Sequence, residues 1–289
     1  MSEHAADLNI LEPEKLDVPP ADKGEGPCWD AQSQSLYWVD ISAGRVHRLS
    51  EAGVHSSWDV GKTVGAVVTR ASGGLVAAAD NGFVALDTLT GEVTELAHAP
   101  GKPGSRMNDG KCDQAGRFYA GSVAEDDSPG KGSFYRLDPD GTVTVLMTDL
   151  GISNGLGWNP DNTLMYYTDS LDYRVDVMDY DAATGELGER RPFISLGSGG
   201  TVPDGLTVDA EGGVWVAVWG GGVVQRYDPS GRLTGVVRLP ASNVTSCTFG
   251  GPGLTRLFIT TASGPGRSAG SLFTCQAGVA GLPSHPYRG

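Results

Sequence analysis

Short apolar runs recur along this chain, each following a polar turn: LYWVD from Leu36, LVAAA from Leu75, FYAGS from Phe118, LMYYTD from Leu164, VWVAV from Val214 and LFITT from Leu257. Their length, their β-branched and aromatic content, and turns such as SGG (72–74), DPDG (138–141), EGG (211–213) and DPSG (228–231) predict strands joined by hairpins. Behind most runs comes a segment with alternating apolar positions, GRVHRLS, GFVALD, SFYRLD or VVQRYD, which predicts a further strand in each unit. Long stretches at helical spacing are absent, so the pattern predicts an all-β chain.

The runs are 39, 43, 46, 50 and 43 residues apart, the span of one four-stranded propeller blade with its loops. Six such units fill residues 24 to 276, so we expect a six-bladed β-propeller with a central channel and one domain over residues 20–289. One blade buries neither face alone, whereas six around an axis bury both. The last unit has no clear outer strand. The N-terminal segment, residues 1–19, is expected to provide it from LNILEPEKLDV, with residues 7–18 ordered and the two chain ends stapled together.

A second pattern lies in the turns. Asn154 stands five residues ahead of Asn159, Asp204 ahead of Asp209, Asn108 ahead of Asp113 and Glu25 ahead of Asp30. The same register falls on Gly65 in the second unit and on Thr245 in the sixth. The first strand of a blade runs beside the axis, so Glu25, Gly65, Asn108, Asn154, Asp204 and Thr245 are expected to face one opening. Two carboxylates and two amides are hard oxygen donors, the ligand type of Ca²⁺, Mg²⁺ or Mn²⁺. Without a cation, Glu25 and Asp204 would repel and raise a pKa.

Composition narrows the field. Forty-three glycines in 289 residues is about twice the ordinary share and suits many tight turns. Thirty-five acids against 21 Lys and Arg give a net charge of −14, which argues against nucleic acid as a partner. No run approaches the length of a membrane span and the N-terminus has no apolar signal segment, so a cytoplasmic protein with no membrane partner is expected. Cys28, Cys112, Cys247 and Cys275 show no clustered spacing and read as buried free thiols. His47, His55, His98 and His285 read as surface or packing residues, DVMDYDAATGE (176–186) as a hairpin turn rather than a calcium loop, and Trp219 as a candidate for the funnel wall. No GxSxG, P-loop or dinucleotide fingerprint occurs.

GEGPCWD (24–30), RMNDGKCDQAGRFYAGSVAE (106–125), SNGLGW (153–158), PDGLTVD (203–209) and NVTSCTFGG (243–251) together resemble the signature segments of the gluconolactonase, regucalcin (SMP-30) and luciferin-regenerating-enzyme-like family, over roughly residues 20–289. The resemblance implies a divalent metal held by Glu25, Asn154 and Asp204, calcium first and Mg²⁺, Mn²⁺, Zn²⁺ or Fe²⁺ as alternatives. It implies substrate contacts from Arg106 and Asn108, and from Asp126 where the family has a glutamate. The implied reaction is hydrolysis of a sugar lactone such as gluconolactone to its aldonic acid, with Asp204 as base, metal ligand or both, in a monomer or small homo-oligomer. Two other readings stay open: a hydrolase of organophosphates or non-sugar lactones on the same scaffold, and a non-enzymatic calcium-binding regulatory propeller.

Overall fold

The computed structural model describes residues 8–197, 199–266 and 268–289. Six sheets follow one another along the chain, each built on an antiparallel run of strands whose first member lies innermost, with short N-terminal strands added at the outer edge of the fifth and sixth. The first blade comprises Gly24–Asp30, Ser35–Asp40, Arg45–Ser50 and His55–Asp59, the second Val64–Thr69, Leu75–Ala79, Gly82–Leu86 and Val93–His98. The third comprises Ser105–Cys112, Phe118–Ala124, Gly132–Leu137 and Val143–Leu150, the fourth Ser153–Trp158, Leu164–Asp169, Arg174–Asp179 and Arg191–Ser195. Val202–Val208, Val214–Trp219, Val223–Tyr227 and Leu233–Arg238 form the fifth, and Val244–Gly250, Arg256–Thr261 and Phe273–Gln276 the sixth. The fold is the six-bladed propeller that the spacing of apolar runs predicts.

Apolar runs such as LVAAA do not alternate because both faces of a blade are covered. In the second blade Val68, Val76, Ala78 and Phe83 pack on Met107, Phe118 and Tyr135 of the third. Its Val67, Leu75, Ala77 and Val84 pack on Tyr37, Val39 and Val46 of the first. A strand buried on both faces needs apolar residues at successive positions.

The N-terminal segment divides between two blades. Glu14–Lys15 pairs with Phe273 and Thr274 as the outermost strand of the sixth sheet. Asn9–Leu11 runs parallel to Gly235–Val237 and adds a fifth strand to the fifth sheet, so the expected single outer strand is two short pieces. Asp7 and the residues before it lie outside the described residues. The ring closes at several further points. Thr245 Oγ1 donates to the Gly24 carbonyl at 2.6 Å, Leu16 N to Leu272 O at 2.9 Å, and Trp29 stacks on Phe258 with ring centroids 5.6 Å apart. The C-terminal residues cross the opposite end of the ring, where Tyr287 N donates to Thr69 O, Ala71 N to Tyr287 O, and Arg288 N to Gly116 O.

The five-residue register has a local cause at each end. At its far end Asp30, Asp113, Asn159 and Asp209 cap the turn to the second strand. Asn159 Oδ1, for example, accepts from Thr163 N and Leu164 N, both at 2.9 Å, and Asp209 Oδ1 from Glu211 N at 2.9 Å and Gly213 N at 2.8 Å. At its near end the pairing of the first two strands slips in every blade: at Glu25–Cys28, Val64–Ala66, Met107–Gly110, Ser153–Leu156, Pro203–Leu206 and Val244–Ser246. These are β-bulges, which bend the strand and re-aim a side chain.

Each bulge touches the next. A Cβ on Gly155 would lie 2.5 Å from Leu206 N and 2.6 Å from Asp204 O, closer than any side chain tolerates. On Gly157 it would meet only the ends of the Leu206 and Val208 side chains, at 3.2 Å. Gly155→Ala is therefore expected to cost about 3 kcal/mol and Gly157→Ala less than about 1.5 kcal/mol in urea unfolding. Equal costs would remove the bulge contact from its structural role.

His47 and His55 are packing residues with a consequence for pH. His47 stacks on Trp38, and its Nδ1 lies 3.1 Å from His55 Nε2, an arrangement that needs at least one neutral ring. Burial, with a smaller contribution from His55, lowers the pKa of His47 to about 4. Unfolded chain takes up that proton near pH 6.5, so between those values the unfolded state binds more protons and stability rises with pH. The contribution is complete above about pH 6.5 and is lost as the pH falls towards 4, to the extent of about 2–3 kcal/mol. His47→Phe, which keeps the stack on Trp38, is expected to flatten the melting temperature across this window, and an unchanged slope would refute the assignment.

Candidate metal and substrate cavity

The six bulges open on a cavity of about 170 Å³ at one end of the axis, lined by Glu25, Arg106, Asn108, Asn154, Asp204 and Thr245 among others. All the register positions except Gly65 therefore reach it. Gly65 is absent from the wall because its Cα lies against the Asn108 backbone and leaves no room for a side chain.

Hydrogen bonding sorts these residues into two groups. Thr245 is spent on the ring, donating to Gly24 O and standing 2.8 Å from Thr260 Oγ1. Asn108 is also committed: Nδ2 donates to Ser153 O of the next blade at 2.9 Å, and Oδ1 accepts from Arg106 Nη1 at 3.0 Å. Its amide links two blades and orients the guanidinium.

Glu25, Asn154 and Asp204 keep free oxygens. Gly26, at φ +50°, closes its bulge and donates its N–H to Glu25 Oε2 at 2.6 Å, which leaves the other oxygen available. Asn154 Nδ2 donates to Ser170 Oγ at 3.0 Å. Ser170 opens a short 3-10 turn, Ser170–Asp172, capped by Asp169. That bond orients the amide so that Asn154 Oδ1 is buried without any partner. A buried acceptor with no donor is costly, and a cation in the cavity would satisfy it.

The electrostatics agree. Glu25 is held well above the usual carboxylate range by burial, then by the charges of Asp204 and Asp109. Asp204 is raised by burial and then by Asp109, with hydrogen bonding from Asn154 and Glu25 opposing the rise. Asp109, the second residue of the third-blade bulge, is itself raised by burial, an effect that Lys111 partly offsets. Glu25 and Asp204, buried on one cavity with the charge of Asp109 acting on both, favour a dication. Among the described residues no three His, Cys, Asp or Glu side chains converge as a ready ligand cluster, so a cation here draws on the Asn154 amide as well as on carboxylates. The donors present, two carboxylates and an amide oxygen, fit a hard divalent ion.

Asp126 is not in the cavity. It is exposed, accepts from Ser128 Oγ at 2.6 Å and lies 3.9 Å from Lys131 Nζ. The chain turns after Ala124, with Asp127 at φ +54° and its N–H on Ala124 O, and this places Asp127 on the cavity wall instead. The register also carries a second tier. Two residues ahead of Glu25, Asn108, Asn154 and Asp204 stand Lys23, Arg106, Ile152 and Val202, and all four line the cavity as an outer tier. Trp219, Ile41 and Ser170 complete that wall. The four cysteines are free and buried, with Cys28 pushed up to about 11 by burial, so no thiolate contributes. No helix among the described residues is long and apolar enough to cross a membrane.

Comparison with known proteins agrees with the geometry. The sequence model of the SMP-30/gluconolactonase/LRE-like region matches residues 23–263. Regucalcin of Danio rerio is 38% identical over 279 residues, which cover 92% of this chain and 95% of that protein. A solved structure of a calcium-binding protein, regucalcin, from Agrobacterium tumefaciens matches with a TM-score of 0.91 at 30% identity, over 97% of this chain and 99% of that one. A luciferin-regenerating enzyme matches at 0.89 and 29% identity, covering 96% and 99%. The chain therefore belongs to the SMP-30/gluconolactonase/LRE-like family.

Proposed function

We propose that the protein is a hydrolase of sugar lactones that works with one divalent cation, calcium first among the candidates, held by Glu25, Asn154 and Asp204. The observation that carries this reading is the convergence of three side chains with uncommitted oxygens, from the first, fourth and fifth blades, on one cavity where Asn154 Oδ1 is buried and unpartnered. When bound, the cation supplies positive charge that polarises the lactone carbonyl and stabilises the oxyanion.

The chain's own residues do the rest. Asp204 takes the proton of the attacking water. In the cation-free cavity, burial and the neighbouring Asp109 make it more basic than an ordinary carboxylate. The water oxygen adds to the carbonyl carbon, the ring C–O bond breaks, and the ring oxygen leaves with a proton as the hydroxyl of the aldonic acid. Arg106, fixed by Asn108, donates to substrate oxygens at the outer tier, and Trp219 with Ile41 screens one side of the ring from water. A second reading, calcium binding without turnover, draws support from the likeness to the calcium-binding protein of Agrobacterium tumefaciens.

Chelator-stripped protein, reloaded ion by ion and assayed by acid release from D-glucono-1,5-lactone, is expected to regain activity with Ca²⁺ or another hard dication. Saturable ion binding with no turnover on any lactone would favour the second reading. Glu25→Gln and Asp204→Asn are each expected to lower kcat/KM by at least about 100-fold. Each is also expected to raise the melting temperature of the metal-free protein, because a buried repelling carboxylate is gone. The stabilisation by added cation, about 2.7 kcal/mol at a concentration 100 times Kd, is expected to vanish in both. Near-normal turnover in either variant would sink the assignment.

A further inference from the structure

Two cations in the cavity form no ion pair with a carboxylate among the described residues. Lys23 and Arg106 hold equivalent places, two residues ahead of the bulge in the first and third blades, and both line the wall. Among the described residues no carboxylate lies within 4.0 Å of either head group. Elsewhere in this acidic chain Arg117, Arg136, Arg190 and Arg226 all reach one. Arg106 Nη1 is spent on Met107 O at 3.1 Å and Asn108 Oδ1 at 3.0 Å, which fixes the plane of the guanidinium and leaves its remaining N–H groups for another acceptor. Between these cations lies the second blade, which gives the wall no side chain, since its register residue is Gly65. The cavity therefore carries a cation on each flank of its second-blade side, with no second-blade side chain between them.

The acids nearby do not fill that role. Glu25 and Asp204 belong to the proposed cation site, and a bound dication would absorb their charge. Asp127 lines the wall on the Arg106 side and, ahead of Glu25 and Glu125, its charge acts on the guanidinium, but it stays exposed and forms no ion pair with it within 4.0 Å. Resting on the lactonase reading above, we propose that Lys23 and Arg106 clasp a carboxylate at the far end of the substrate, so that the preferred substrates are lactones of dicarboxylic sugar acids rather than neutral aldonolactones. Lys23 is then a specificity residue: its ammonium meets the distal carboxylate as a point charge, while Arg106 offers it two parallel N–H donors.

The test compares D-glucaro-1,4-lactone with D-glucono-1,4-lactone, which differ only in whether carbon 6 is a carboxylate or a primary alcohol. The ratio of their kcat/KM values, which a general loss of activity does not move, is expected to favour the carboxylated lactone by at least about tenfold in the native protein. Lys23→Met is expected to bring the ratio close to one, Lys23→Glu to invert it, and Lys23→Arg to restore most of it. Calorimetry on the calcium-loaded full chain gives a second readout: D-glucarate is expected to bind more tightly than D-gluconate, and Lys23→Met to abolish the difference. A native ratio at or below one, or a ratio unmoved by Lys23→Met, overturns the proposal while leaving lactonase activity intact. If neither lactone is hydrolysed, the lactonase reading falls and calorimetry decides alone: a glucarate preference that depends on Lys23 sustains the cation pair, and equal binding of the two acids overturns it.

Discussion

Each inner strand slips against its neighbour at the same height, and those slips tie six hairpin units into one ring. Gly26 sits against Ala66, Gly65 against the Asn108 backbone, Asn108 Nδ2 on Ser153 O, Gly155 against Asp204 O, Gly205 against Ser246, and Thr245 on Gly24 O. The circuit is complete. Because a bulge both touches the next blade and turns a side chain towards the axis, the contacts that close the propeller also build the cavity. Rigid strands position polar groups better than loops do, which is why oxygens from residues as distant in sequence as 25 and 204 reach one place.

That coupling divides the polar residues of the axis into two kinds. Asn108 and Thr245 use their hydrogen-bonding capacity on neighbouring backbone and hold the ring. Glu25, Asn154 and Asp204 are backed by a single local bond each, or by one another, and Asn154 keeps a buried oxygen without a partner. The cost is mutual repulsion between buried carboxylates, sustained by the apolar packing of blades on both their faces. Arg117, Arg174, Arg190 and Arg226, outside the axis, reach carboxylates on blade edges and turns, where Asp113, Asp176 and Asp209 are fully buried partners.

Much of this was legible before any coordinates. The period of the apolar runs gives the blade count because each blade must repeat the same buried core. The five-residue register is readable because a bulge residue and a turn cap are both constrained in residue type. What escaped the sequence is where a single residue decides direction. Asp126 and Asp127 are alike in composition, and only the left-handed turn at Asp127 determines which faces inward. Asn108 reads as a free donor until its two bonds are seen. Residues 9–11 have no sequence mark that assigns them to the fifth sheet rather than the sixth, since edge pairing reads backbone and not side chains. Lys23 was hidden because its tier carries no common residue type: a lysine, an arginine and two aliphatics.

The crowding at Gly65 limits how this scaffold changes its chemistry. A side chain cannot be introduced there without displacing the Asn108 backbone, and with it the residue that steadies Arg106. One sixth of the circumference is thereby closed to variation by point substitution, and new selectivity on that side has to be installed from positions 23 and 106 on either flank.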